Sequence, residues 1–530
     1  MVEVRSRIVA ACIEQARLPD GLALDVLVND TLYHEKKRLE TDRKSPTWAE
    51  DVAFWNEIKS SLATAGDAQL KQLLDSIVRR FTDEVRGNFS PWVYQMATNV
   101  MPKALPLLLN ALSPKKLLSF GIPDIKSTLS VHGETERARR MQELGTVILA
   151  PTHVSNLDSP VVGWALHHMG LPPFSYGAGL NLFTNPVMAF FMRNLGAYRV
   201  DRNKTAPLYK DILKEYATIS LEMGQPNLFF PAGTRVRSGA LEERLKLGLL
   251  SSGLRAYINN IIHKKERPNI YIVPCTLNYH LVLEAETLID DHLRREGKSR
   301  YIITDDESSK PRKMLHFAQN LVNLDSRITV NIGKPLDPFG NEVDDEGRSI
   351  DGRGREVDIT RYITDRAGDA IHLPQRDRVY TMEAGQSLAK AFRRTNMVLS
   401  TSLVAFALFE HLKRRQPGLD LYRLLRAGDE GTGVSVRRLT HEVALALTMV
   451  HELADQGALV LDPKGVENTD ANDVVRSALR HFGTYHTHPV MKRRGDRVFT
   501  EDMKLLLYYS NRMRGYGLES KLADAGEHQA

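Results

Sequence analysis

The chain has 530 residues, 42% hydrophobic and 26% charged, an ordinary balance for a soluble globular protein of two or three domains. A net charge of +6 and a pI near 9.0 favour acidic partners, such as phosphate metabolites or anionic lipid surfaces, without selecting among them. Its two cysteines, Cys12 and Cys275, exclude a disulfide framework and a cysteine-rich metal site and point to a reducing compartment.

In chain order, "MVEVRSRIVAACIEQARLPDG" shows no readable signal peptide, because Glu14 breaks its short apolar patch. Residues 1–125 read as successive helices, with apolar residues three and four apart in "ALDVLVNDTLYHEKKRLE" and "AQLKQLLDSIVRRFTDEV". The stretch Trp92–Leu112 is long enough to span a bilayer, but Pro102, Lys103 and Pro106 interrupt it. It predicts a helix pair that is buried or, with Lys103, Lys115 and Lys116 close by, lies on anionic lipid.

Residues 126–340 change texture. Short apolar runs ("GTVILAP", "GAYRV", "NLFFP", "IYIVPCTLNY" and "RITVNIG") alternate with helical segments. That alternation predicts an α/β layer with a mostly parallel central sheet flanked by helices. Asp337–Asp358, rich in Gly, Asp and Arg, reads as an exposed loop or hairpin, and residues 341–530 are otherwise mostly helical. The apolar run Met397–Phe409 is too short for a transmembrane helix, and no internal repeat is legible. A soluble or peripheral protein is expected.

Chemistry first shows in "VILAPTHVSNLDSPVVGWAL", where His153 and Asp158 stand five positions apart. Such a pair arises about once by chance in a chain of this composition. On a continuous helix the two would diverge by about 140°. If a strand ends at Pro151 and a helix starts near Ser155, they can meet, and an imidazole oriented by a carboxylate is a suitable general base. The plainer alternative is that Ser155-x-x-Asp158 merely caps a helix.

Three later segments weigh on that choice. "GAYRVDR" sets Arg199 and Arg202 at a strand end; "FFPAGTRVRSG" places Gly233, Thr234, Arg235 and Arg237 beyond another; Lys246 follows in "LKLG". Guanidinium groups beside Gly-rich backbone suit phosphate, and open α/β sheets bind ligands beyond the carboxyl ends of their strands.

In order, these segments resemble the four blocks of the glycerolipid acyltransferase superfamily: His-x4-Asp at His153 and Asp158, the stretch Gly196 to Arg202, Phe230 to Arg235, and Val273-Pro274. "AGLNLFTNPVMAFFMRNLGAYRVDR", "CTLNYHLVLEAETL" and "LLLYYSNRMRGYGLE" resemble the bacterial membrane-associated glycerol-3-phosphate acyltransferases in particular. The third block departs from the pattern, with Ala232 where the family usually carries Glu.

The resemblance implies acyl transfer from acyl-CoA or acyl-carrier protein to glycerol 3-phosphate, the first step of phospholipid synthesis. His153 would be the base and Asp158 its orienting partner. Arg202 and Arg235, with Arg237 or Lys246, would clamp the phosphate. Amides around Gly233 and Thr234 would serve the phosphate or the developing oxyanion. Leu182, Phe183, Phe190 and Phe191 would line an acyl groove, with a plain core role as the alternative. Neither metal, further cofactor nor nucleic acid is expected, and the protein would sit peripherally on the cytoplasmic side of the membrane. A lysophosphatidate acceptor, or a non-catalytic lipid-binding role suggested by Ala232, are the competing readings.

Overall fold

The structure, a computed structural model, describes residues 1–17, 22–43, 45, 47–99, 129–180, 186–296, 328–428, 431–483 and 486–527. Most of the expected Trp92–Leu112 helix pair, the boundary at 125, Lys103, Lys115, Lys116, Leu182 and Phe183 lie outside the described residues; the pair's first helix is seen as Pro91–Asn99.

A seven-stranded sheet organises the described chain: β1 (Leu129–Gly133), β2 (Thr146–Pro151), β3 (Ser175–Gly179), β4 (Ala197–Val200), β5 (Asn227–Leu228), β6 (Ile270–Tyr279) and β7 (Ile328–Ile332). The spatial order is β1-β7-β6-β2-β5-β3-β4. All neighbours are parallel except β6 and β7, so β1 and β7 run against the other five strands. The fold is thus α/β with a mostly parallel sheet and helical flanks.

The pleat explains why β2 and β6 are apolar throughout. Val147 and Leu149 pack with the helices Thr135–Leu144, Asp158–His168 and Ala285–Glu296 on one face. Ile148 and Ala150 pack with Leu247–Ile262 and Pro374–Thr395 on the other. Every residue of both strands is buried, as a strand covered on both faces requires.

Two strands carried no readable pattern. β1 is a half-exposed edge, and β3, "SYGAG", has Tyr176 as its one bulky residue, with Gly177 kept small by what lies beside it. A Cβ on Gly177 would meet the Tyr198 ring at 3.1 Å and Val200 at 3.2 Å. β5 is shorter than "NLFFP" predicts.

The N-terminal helices Val2–Gln15, Leu24–Thr41, Trp48–Leu62 and Asp67–Val85 form their own core around Trp55 and Phe81, which closes on Tyr198 and the helix Pro207–Glu222. In the C-terminal region, Ser400–Arg415 is buried almost all round and continues the core of the sheet's first face.

The expected loop or hairpin after Asp337 is a run of tight hairpins, and it corrects the reading that no repeat exists. Asp337, Asp344, Asp351 and Asp365 each open a turn in which Oδ1 accepts the N–H groups two and four residues on. Gly340, Gly347, Gly354 and Gly368 close these turns with positive φ. The period is seven residues, with Asp358 in phase but opening a 3-10 turn instead. Only a few polar positions recur, so the repeat is faint by eye.

Candidate active site

Five parallel strands place their carboxyl ends on one edge of the sheet, and the loops after β2, β4 and β5 carry the residues singled out above. β2 ends at Pro151, and the following helix begins at Asp158, three residues later than Ser155. Between them the chain turns so that His153 Nδ1 lies 2.7 Å from Asp158 Oδ2.

The same carboxylate oxygen accepts Val154 N–H at 2.6 Å and Ser155 N–H at 2.9 Å. The Asp158 carboxylate therefore organises the turn before the helix rather than capping it: the N-cap residue is Leu157, whose N–H donates to Ser155 Oγ at 3.2 Å. Oδ1 accepts the Tyr279 hydroxyl at 2.5 Å. Asp158 is fully buried, and these four donors offset the cost of removing its charge from water. Because Asp158 acts as an acceptor throughout, the imidazole proton sits on Nδ1. Nε2 keeps its lone pair and has no protein partner among the described residues. Burial, reinforced by the Asp158 charge, pushes the Tyr279 hydroxyl pKa well up, so it remains a donor.

The loop after β5 wraps this histidine. Phe230 stacks on the imidazole with centroids 4.2 Å apart. Val236 N–H donates to the His153 carbonyl at 2.8 Å, and the His153 N–H donates to Glu242 Oε1 at 2.6 Å. Ala232 is half-buried and leaves Glu242 as the carboxyl of this loop that touches His153.

Arg202, Arg235 and Arg237 converge. Burial, then the charge of Arg235, lowers the Arg202 pKa; burial, then Arg295, lowers that of Arg237, with Arg235 and Arg202 adding to the effect. Their other contacts differ. Arg235 lies 3.4 Å from Glu284, whose carboxylate also accepts Ser155 Oγ–H at 2.8 Å and Asn156 N–H at 3.1 Å. Glu284 thus ties the histidine turn to the arginine loop. Arg237 is ion-paired to Asp291, which Arg295 shares at 3.1 Å. Arg202 and Lys246 are solvent-accessible and have no carboxylate partner among the described residues.

Gly233 contributes shape. Its φ of +71° favours glycine, and a Cβ there would lie 2.7 Å from Lys246 Cδ and 3.0 Å from Nζ, so a larger residue would also displace the Lys246 side chain from its course across the loop. The Gly233 N–H is already donated to Phe230 O at 2.9 Å, which leaves Thr234 N–H as the one of the two amides without an acceptor among the described residues. Cys275 lies behind the site, and burial pushes its thiol pKa up, which keeps it inert. Among the described residues no three His, Cys, Asp or Glu side chains group as metal ligands.

Sequence reading missed Tyr279, Glu284, Asp291 and Glu242. Glu284 had a signal, as an acid inside the apolar run "HLVLEAETL". Glu242 had none.

Residues 129–278 match the family model described as Acyltransferase. A glycerol-3-phosphate acyltransferase of Aeromonas hydrophila is 29% identical over 206 residues, covering 38% of this chain and 24% of that protein. Its namesake in Pseudomonas syringae is 30% identical over 191 residues, covering 36% and 21%. That of Pseudoalteromonas translucida is 26% identical over 253 residues, covering 48% and 28%. The matched part of the chain thus spans about a quarter of the length of these relatives. The crystal structure of a 1-acyl-sn-glycerophosphate acyltransferase from Thermotoga maritima aligns over 59% of this chain and 95% of its own, at 13% identity and a TM-score of 0.26, too low to establish a common fold.

Proposed function

We propose that this chain, whose residues 129–278 match the acyltransferase family model, transfers a fatty acyl group from acyl-CoA or acyl-carrier protein to a hydroxyl of glycerol 3-phosphate. The observation that carries the reading is the His153–Asp158 pair at the sheet edge where, among the described residues, Nε2 has no partner and cations outnumber their carboxylate partners.

In this reading His153 Nε2 takes the proton of the attacking hydroxyl as its oxygen bonds to the thioester carbonyl carbon. Asp158 holds the tautomer and stabilises the imidazolium that forms. Collapse of the tetrahedral intermediate releases the thiolate, which recovers the proton from Nε2. A thioester is already activated, so no acyl-enzyme is needed, and no metal enters. Arg202 and Lys246, without a carboxylate partner among the described residues, bind the acceptor phosphate; Arg235, braced by Glu284, joins them, and Arg237 is anchored by Asp291 at the rim. Thr234 N–H is available to the phosphate or the oxyanion.

No helix among the described residues is long and apolar enough to cross a membrane. Trp92, 66% exposed, and Phe190, 44% exposed, would meet lipid, which supports peripheral contact with a membrane. Phe190 and Phe191, in edge-to-face contact at 5.5 Å, remain the acyl-groove candidates.

Purified protein with labelled glycerol 3-phosphate and either donor tests the reading. Product that disappears in His153→Ala supports it. Turnover with lysophosphatidate alone moves the acceptor, and binding without turnover under either donor contradicts enzymatic function.

A further inference from the structure

The polar main-chain atoms of His153 are both held by one loop, and one of the two anchors is a side chain. Glu242 is 5% exposed, its Oε1 accepts the His153 N–H at 2.6 Å, and its Oε2 is buried with no hydrogen-bond partner among the described residues. The charges facing it belong to Arg512, from the C-terminal region, and Asp158. Arg512 is itself engaged elsewhere, donating to Asn396 Oδ1, Leu277 O and Asn278 Oδ1. A carboxyl that makes one bond and leaves an oxygen dry destabilises the fold relative to an apolar side chain. It is poorly explained as packing, and it sits on the backbone of the residue whose ring must be placed most accurately.

We propose that Glu242 is a positioning residue of the acyl-transfer site, fixing the His153 backbone so that Nε2 meets the acceptor hydroxyl. The inference rests on the acyl-transfer reading above. Phe230 sets the plane of the ring, Asp158 its rotation, and Glu242 the position of the Cα from which it projects. Removing the anchor lets the ring drift while the phosphate clamp is untouched, so the loss falls on kcat and not on the acceptor KM.

Steady-state kinetics of Glu242→Ala, Glu242→Asp and Glu242→Gln, each checked for folding by thermal melting, test this. Ala and Asp, which cannot reach the His153 N–H, are expected to lower kcat about tenfold to a hundredfold with the acceptor KM within about twofold. Gln keeps an acceptor oxygen at the same reach and is expected to recover most of that loss. If Ala does not fold, the Asp and Gln pair decides. Wild-type turnover with kcat unchanged in Asp, or a loss confined to KM, overturns the inference alone. No turnover by the wild-type chain overturns the acyl-transfer reading and this inference with it.

Discussion

The centre of the N-terminal helices and the carboxyl edge of the sheet both gather arginines and lysines, and they treat them differently. In the first region Arg38, Arg80 and Lys204 meet Glu35, Asp51 and Glu84, with Asp42 a more distant fourth carboxylate 3.8 Å from Arg38. Burial raises the Asp51 pKa, but bonds from Arg38 and Arg80 outweigh it and hold the carboxyl below its usual range. In the second region Arg235 and Arg237 have carboxylates, whereas Arg202 and Lys246 have none among the described residues. Lys204 and Arg202 are two positions apart in one loop. The first is locked into the helices by Glu35 at 3.1 Å and Glu84 at 2.8 Å, and the second is left for an anion. A charge balanced inside the protein reads as architecture, while an unbalanced one beside like charges reads as half of a binding site.

The largest expected effect is at the base. His153→Ala should lower kcat about a thousandfold or more in the folded protein, measured by single-turnover acyl transfer. Next come the balanced charges. Arg38→Met leaves Glu35 and Asp51 buried without their main partner and should cost about 3 kcal/mol or more of stability by denaturant titration, with KM unaffected in the folded protein. Arg202→Ala should do the reverse, raising the acceptor KM about tenfold or more with stability unchanged and the donor KM little moved. Arg237→Ala should fall between the two patterns, since Asp291 loses a partner. A pure KM effect there would erase the distinction drawn above.

The smallest effect is a slope. Burial raises the Glu242 pKa from 4.5 to about 8. The folded state therefore binds that proton more tightly than the unfolded chain, and the resulting stability is complete below pH 4.5 and lost as the pH rises to about 8. Glu242→Gln should remove this loss. Its stability relative to wild type should rise across that window by up to about 1.4 kcal/mol per pH unit, read from chemical denaturation at fixed pH steps.

Much of this was legible in the sequence, for identifiable reasons. Strands covered on both faces must be apolar throughout, so β2 and β6 announced themselves. Loops at strand ends carry charge freely, so His153, Asp158, Arg202 and Arg235 stood out. β3 was hidden because its Gly177 makes room for Tyr198, a neighbour that its own sequence does not reveal. Partners supplied from a distance were hidden for the same reason: Tyr279 reaches Asp158 across 121 positions, and Glu284 reaches Ser155 across 129. Which cations are free is likewise a property of the fold. Arg202 and Lys204 look alike in "DRNK", and only the arrival of Glu35 and Glu84 separates them.

The central claim is that His153 removes a proton from an acceptor whose phosphate Arg202 and its neighbours hold. Acyl transfer to labelled glycerol 3-phosphate, compared for the wild-type chain, His153→Ala and Arg202→Ala, tests it most directly. The account predicts product from the wild type, none above background from His153→Ala, and product from Arg202→Ala restored at high acceptor concentration. Equal turnover by wild type and His153→Ala would contradict it.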